Sequence, residues 1–431
     1  MPIPPSTSES DPVEFVRRPQ LGSKCKYLIL FIISWNTLVV TFLSTSLLVA
    51  TPEISTEFDT TSETLNITNA GVLVSMGCSS LIWLPLAKLF NRKKSYDVAT
   101  LFMFATSIGT ALAPDLRTFT AMRILSGLTG TFFMVAGQSI IADIFEPIFR
   151  GRAVGCMQVG SVAGTALGPC ISGVIVIFSH WRDIYWLQVA MAGFGSALAV
   201  LTIPSIESEV KQVYEDEKAR ITVPYVLQAF NPIGVFKLYR LPQVLLSDLT
   251  CGFLAVTQYG VLTSVRNVIN PRFGFSSPLV SGLFYISPGV GFVLGSLIGG
   301  RLSDQTVKRY ITARGGIRLP KDRLNSGLPY LFIVLPVSMV LYGWCLQKGF
   351  GGLALPVVLA CLIGAGLMGA WNGLNTYAAE VIPTQRSEVV CSKYALQYVF
   401  GATATAAVMP LINAIGIGWS FTICEFRCRL S

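Results

Sequence analysis

The chain has 431 residues, of which 52% are hydrophobic and only 13% charged. Soluble domains carry about 25% charged residues, so this composition excludes a soluble enzyme or a nucleic-acid-binding protein. Its apolar richness excludes disorder as well. The class that remains is an all-α polytopic membrane protein, and at about 20 apolar residues per crossing the length holds roughly a dozen spans.

Residues 1–26 are polar and lack the basic leader and apolar core of a cleaved signal peptide. They read as a disordered cytoplasmic tail. Apolar runs then predict spans at 27–49, 70–90, 97–114, 117–145, 153–179 and 184–204, an amino-terminal bundle over 27–204. A charged stretch, 205–243, reads as a cytoplasmic linker. The carboxy-terminal bundle, 244–431, follows with spans at 244–268, 279–300, 328–347, 353–378 and 389–413, then an apolar stretch at 414–424 too short to cross. Six spans, a polar linker and a second set suggest a repeat.

With the amino terminus inside, most of the 32 Lys and Arg lie on the inner side, and the net charge of +9 is absorbed there. Lys88, Arg92, Lys93 and Lys94 follow span two, and a run of cations lies between Arg301 and Arg323. The first outer loop carries Glu53, Glu57, Asp59 and Glu63. It also holds the sequon Asn66-Ile67-Thr68, close to the start of span two. This asymmetry leaves no role for nucleic acid. Most of the ten cysteines sit in apolar runs and read as packing residues, and the lone His180 offers no metal pair.

Span five carries the most specific pattern: Gly155, Gly164, Gly168-Pro169 and Ser172-Gly173. Gly160, Gly164 and Gly168 fall at i+4 spacing, a smooth stripe that lets helix backbones approach in lipid, and Pro169 permits a bend. Ordinary helix packing would use the same stripe. The arrangement resembles the antiporter motif of the twelve-helix drug/proton antiporter family of the major facilitator superfamily. Arg123 with Gly127 and Gly130, Asp143-Ile144-Phe145, Arg150-Gly151-Arg152, Trp181-Arg182 and Gly418-Trp419 agree with it. The likeness runs over roughly 27–424 and is strongest to fungal exporters of the quinidine-resistance, dityrosine and itaconate types.

The resemblance implies a major facilitator fold, two six-helix bundles around a central cavity, with the last helix incomplete here. It implies a loop motif, Gly-x-x-x-Asp with following cations, that latches the inner side. The copy after span eight is present as Gly300, Asp304, Lys308 and Arg309. The copy after span two is eroded: Leu84, Lys88 and Asn91 replace Gly, Asp and Gly. The family role of Arg123 is proton coupling. A cation inside a span is costly unless paired or hydrated, although an Arg near the outer interface can also snorkel to water. Asp248 in span seven is the best acidic candidate for carrying the proton. The family fold places spans one, four, seven and ten around the cavity, which singles out Asn36, Gln258, Tyr259, Asn372 and Asn375. Interhelical hydrogen bonding is the alternative for each.

Gly364-Ala365-Gly366-Leu367-Met368-Gly369 matches a dinucleotide fingerprint but lies in an apolar helix rather than after a strand. Cys424 and Cys428 lack the histidines of a zinc site, and the Cys428–Ser431 terminus is a loose prenylation box. No phosphate-binding loop or nucleophile elbow occurs. Cys424-Glu425-Phe426-Arg427 breaks the last apolar run, as a truncated or misread chain or one that has lost function would. The expectation is a monomeric, cofactor-free and metal-free transporter of the plasma membrane. It would export a small organic compound (organic acid, secondary metabolite or drug) against proton entry by alternating access. Arg123, the one evident intramembrane cation, tilts that expectation toward an organic acid. Proton-symport uptake and a non-transporting scaffold or receptor are the alternatives.

Overall fold

A computed structural model describes residues 22–90, 92–146, 149–202, 233–274, 278–317, 319, 321–382 and 385–429. Most of the expected tail (1–26) and linker (205–243) lies outside the described residues, as do the side chains of Lys88, Asn91 and Arg92.

The first half folds as α1 (Ser23–Thr45), α2 (Leu47–Glu57), α3 (Ser62–Phe90), α4 (Arg92–Ala111), α5 (Leu116–Gly127), α6 (Gly130–Ile144), α7 (Arg150–Phe178) and α8 (Arg182–Thr202). The second half folds as α9 (Pro242–Ser264), α10 (Pro278–Phe284), α11 (Ile286–Ala313), α12 (Leu335–Lys348), α13 (Ala354–Ala378), α14 (Arg386–Ile415) and α15 (Ile417–Arg429). Local chemistry fixes several ends. Asp115 caps α5 by accepting the N–H groups of Arg117 and Thr118. Pro242 opens α9, where a missing N–H costs nothing, and Gly349 ends α12 at φ 79°.

Four helices differ from the apolar pattern. Span one continues past a break at Ser46 through α2, so Glu53 and Glu57 are helical rather than in a loop. Span four is two helices, α5 and α6. A β-carbon at Gly127 would press on the Val72 carbonyl of α3, and Trp83 Nε1 donates to the freed Leu128 carbonyl at 2.8 Å. Span eight runs on to Ala313, so the cations Arg301, Lys308 and Arg309 stand on a helix. The final helix continues through Cys424–Arg427 to Arg429. Its 13 residues rise about 20 Å, short of the roughly 30 Å hydrocarbon core.

Among the described residues, nine helices are long and apolar enough to cross a membrane. The first-half helices pair as α1 with α7 and α4 with α8, and the second-half helices as α9 with α14, α11 with α13 and α12 with α15. The most extensive contacts between the halves are α11 along α7 and α14 along α3, with α10 also packed on α7. Large apolar side chains such as Leu101, Phe178, Leu201 and Val337 stay exposed on outward faces, where hydrocarbon is their solvent. The apparent fingerprint at Gly364–Gly369 is packing: β-carbons there would meet the Pro288 carbonyl, the Leu335 side chain and the Tyr330 ring. The sequon lies within α3, and its Thr68 hydroxyl donates to the Thr64 carbonyl.

Candidate functional site

A cavity lies between the halves. From the first half, α1 contributes Thr41 and Ser44, α6 Met134, and α7 Gln158, Ser161 and Thr165. From the second, α9 contributes Gln258 and Tyr259, α13 Trp371 and Asn375, and α14 Tyr394, Gln397 and Tyr398. The lining thus brings together Gln258, Tyr259 and Asn375 from the sequence-derived set. Asn36 and Asn372 lie elsewhere. Asn36 donates to Tyr96 Oη at 3.0 Å inside the first bundle, and Asn372 donates to the Ser296 carbonyl of α11 at 2.8 Å. The enclosed space is about 30 Å³, room for little more than water. The halves are closed around it.

From the cavity toward the basic end, polar bonds cross between the halves in layers. Gln138 Nε2 donates to Tyr394 Oη at 2.8 Å, and the Ser139 and Ser387 hydroxyls meet at 3.2 Å. Arg386 reaches Asp143 at 3.2 Å, and Arg150 reaches Glu380 at 3.2 Å. The outermost layer is built on Asp304. Gly300, one turn earlier on α11, lets that helix close on α7, because a β-carbon there would press on the Gly151 carbonyl. Asp304 then accepts the backbone N–H groups of Gly151 and Arg152, each at 3.0 Å, at the amino terminus of α7. A carboxylate there meets unpaired donors and the positive end of the helix dipole. Arg323 Nη1 donates to Asp304 at 2.9 Å, and its Nη2 lies 3.5 Å from Glu380. Lys308 and Arg309 are exposed, with Lys308 over the Phe149 ring at 5.3 Å. Arg323 had no distinguishing mark in the sequence, being one cation in a run of them.

Away from that end, the contact between the halves is apolar and tight. Val49 and Val162 join the core of the second half. A β-carbon at Gly282 of α10 would press on the Pro169 carbonyl, and one at Gly289 on Ala166. The span-five motif therefore works on two faces. Gly160, Gly164 and Gly168 lie against α1, where added β-carbons would overlap Ser34, Leu38, Thr41 and Thr45. Gly155 lies against the Ser296 carbonyl of α11, which sits in the other half. Gly173 is buried on the same helix. Gly164→Leu is expected to abolish folded, monodisperse protein on size exclusion, because beyond the Thr41 hydroxyl the obstruction is the Leu38 carbonyl, backbone that cannot rotate aside; overpacking costs about 1–3 kcal/mol even where side chains can yield.

Arg123 is fully buried. Its guanidinium donates to Tyr185 Oη at 2.9 Å, the Leu43 carbonyl at 3.1 Å and Asn69 Oδ1 at 3.2 Å. All three are neutral. Its carbon also lies 5.6 Å from the centre of the Tyr185 ring, a cation–π contact. Arg123 is therefore bound inside the first bundle, neither at the interface with water nor in the cavity lining. Asp248 is fully buried two turns into α9, accepting from the hydroxyls of Ser392 at 2.8 Å and Ser247 at 3.4 Å. Beside Ser392 stands Lys393, also buried and within electrostatic reach of Asp248. Its ammonium donates to Asn375 Oδ1 and lies 3.6 Å from the centre of the Tyr394 ring. The place of Lys393 in a predicted span, among apolar residues, was the signal that could have found it.

On the opposite end, Glu57 accepts from Trp181 and Arg182 and lies 3.1 Å from His180. Partial burial pushes its carboxyl up, but the Arg182 and Trp181 hydrogen bonds and the nearby positive charge together hold it below the ordinary carboxylate range. A lowered pKa gives stability that is present above the unfolded value and fades as pH falls through the folded one. Glu57→Gln should therefore lower Tm at neutral pH, and the gap to the parent should close below about pH 4.

The sequence from residue 33 to residue 406 matches the model of the Major Facilitator Superfamily. The chain belongs to that superfamily. It is a multi-pass membrane transporter, not an enzyme. Among relatives, it is 24% identical to the MFS-type transporter phiD of a fungal species, over 87% of this chain and 62% of that one. It is 22% identical to the MFS antiporter QDR3 of Candida albicans, over 93% of this chain and 76% of that one. This transporter thus spans less than two thirds of phiD and about three quarters of QDR3. Among solved structures, the proton:xylose symporter XylE shares the fold, with a TM-score of 0.71 at 15% identity over 95% of each chain.

Proposed function

We propose that this transporter is a proton-coupled exporter of a small organic compound, working as a monomer in the plasma membrane by alternating access. The observation that carries the reading is the seal: a cavity between two halves, closed toward the basic end by layered polar bonds that a rocking motion would break and remake. Under the positive-inside rule the basic end is cytoplasmic, so this conformation is inward-closed. The export direction draws on the antiporter QDR3 and on the span-five motif. Asp248 is the proposed proton carrier, since protonation of its carboxylate would remove the negative charge within electrostatic reach of Lys393. Arg123 is proposed to couple through its three neutral partners, which tie α1, α3 and α8 to α5.

The test is metabolite profiling of cells and medium in a fungal host lacking related exporters, with Arg123→Ala as control. The expected result is a compound that leaves only cells with the parent chain and stays when the proton gradient is collapsed. Export unaffected by collapse, or accumulation inside the cells, would overturn the proposal.

A further inference from the structure

The cavity lining, among the described residues, contains no Asp, Glu, Lys or Arg. Its walls are phenol and indole rings, amides, hydroxyls and methionine. Two of its polar groups are buried without a hydrogen-bond partner: Trp371 Nε1, on a residue 3% exposed, and Gln158 Oε1, on a residue 7% exposed. One is a donor and belongs to the second half; the other is an acceptor and belongs to the first. Buried polar groups are nearly always paired, and an exception in a ligand cavity marks where a ligand's own polar groups go. Apart from Arg150 and Arg323 in the seal at the basic end, the buried cations among the described residues are Arg123 and Lys393, and both are already held behind the wall. Arg123 is bound by Tyr185, Leu43 and Asn69, and Lys393 by Asn375 and the face of Tyr394.

From this we infer that the cargo is a neutral aromatic compound carrying a hydrogen-bond acceptor and a donor, such as a carboxamide or phenol, bridged between Trp371 Nε1 and Gln158 Oε1. This rests on the proposed function only in taking the cavity as the transport site. It replaces the organic-acid expectation, which took Arg123 as the cavity's cation. An ionic cargo would enter an uncharged enclosure with no counter-charge, and desolvation of its charge would go uncompensated. A neutral ring finds Tyr259, Tyr394 and Tyr398 to stack on, and its amide satisfies the two open groups at once. Because those groups belong to different halves, the bound cargo also holds the halves together. The present closed volume admits water only, so cargo enters when the halves part.

The experiment uses the full chain in lipid nanodiscs without a proton gradient. Titration calorimetry compares three probes of one shape: naphthamide, naphthoate and naphthylmethylammonium. The expected result is naphthamide binding at least about tenfold tighter than either ion. Trp371→Phe and Gln158→Leu should each weaken naphthamide by about tenfold, a lost hydrogen bond, and leave the ions unaffected. Unchanged Tm in the two variants shows that they fold. Tighter or equal binding of an ion, binding of none of the three, or variants that leave the naphthamide Kd unchanged would overturn the inference. If an ion binds, Lys393→Met reports whether that cation is its partner. Binding needs no gradient, so a failure of proton-driven export would leave this result standing, and the reverse.

Discussion

Asp304→Ala is expected to open the basic end of the transporter and to cut transport by about two orders of magnitude. The substitution removes the acceptor of two backbone N–H groups of α7 and one carboxylate partner of the fully buried Arg323. Breaking a buried pair costs about 3–5 kcal/mol, because the remaining charge loses its compensation. Each 1.4 kcal/mol is a factor of about ten in a two-state equilibrium, so a share of about 3 kcal/mol taken from the closed state moves its population roughly a hundredfold. Spin labels at Glu146 and Gln305, both exposed near this end, should report a longer distance in the variant than in the parent. An unchanged distance would mean that Arg150–Glu380 and Arg386–Asp143 close the end unaided. Lys308→Ala and Arg309→Ala should leave both distance and flux near the parent values, since neither side chain reaches Asp304.

Asp248→Asn is expected to lower the yield of folded protein, because it removes the carboxylate within electrostatic reach of the buried Lys393. The double variant Asp248→Asn, Lys393→Met removes both charges and should regain most of that loss, as neutral replacements of buried pairs commonly do. Flux then separates the two roles. If Asp248 carries the proton, the double variant folds, binds cargo and exchanges it across the membrane, but no longer concentrates it against a gradient. Recovery of gradient-driven transport along with stability would reduce the pair to a structural element.

The spans were legible because hydrocarbon imposes a length: apolar runs of about 20 residues have few other uses. The packing stripe of α7 was legible because glycines at i+4 spacing make one physical face. What the sequence hid depended on three-dimensional choice. Any cation between Arg301 and Arg323 had the charge to pair Asp304, and only the fold put Arg323 there. Span four read as continuous because Leu128 and Thr129 are not helix breakers. The break comes from Gly127 and Gly130 closing on α3. Asn36 and Asn372 have the chemistry of cavity residues, but helix rotation turns them toward Tyr96 and Ser296. Lys393 lies inside the expected span 389–413, seven residues after Arg386, the nearest other cation in the sequence, and its charge alone does not say whether it faces water or a buried partner.

The Asp304 contact has an uneven genetics. On its own helix and on Arg323 it depends on side chains, which single-base changes can remove. On α7 it depends chiefly on main-chain N–H groups, which almost every residue supplies, the exposed Arg152 side chain adding only a 3.8 Å ion pair. A random-mutagenesis screen for leaky, inward-open variants should therefore collect hits at Gly300, Asp304 and Arg323. At positions 151 and 152 it should recover mainly proline, which lacks the N–H, or bulk that pushes α11 away.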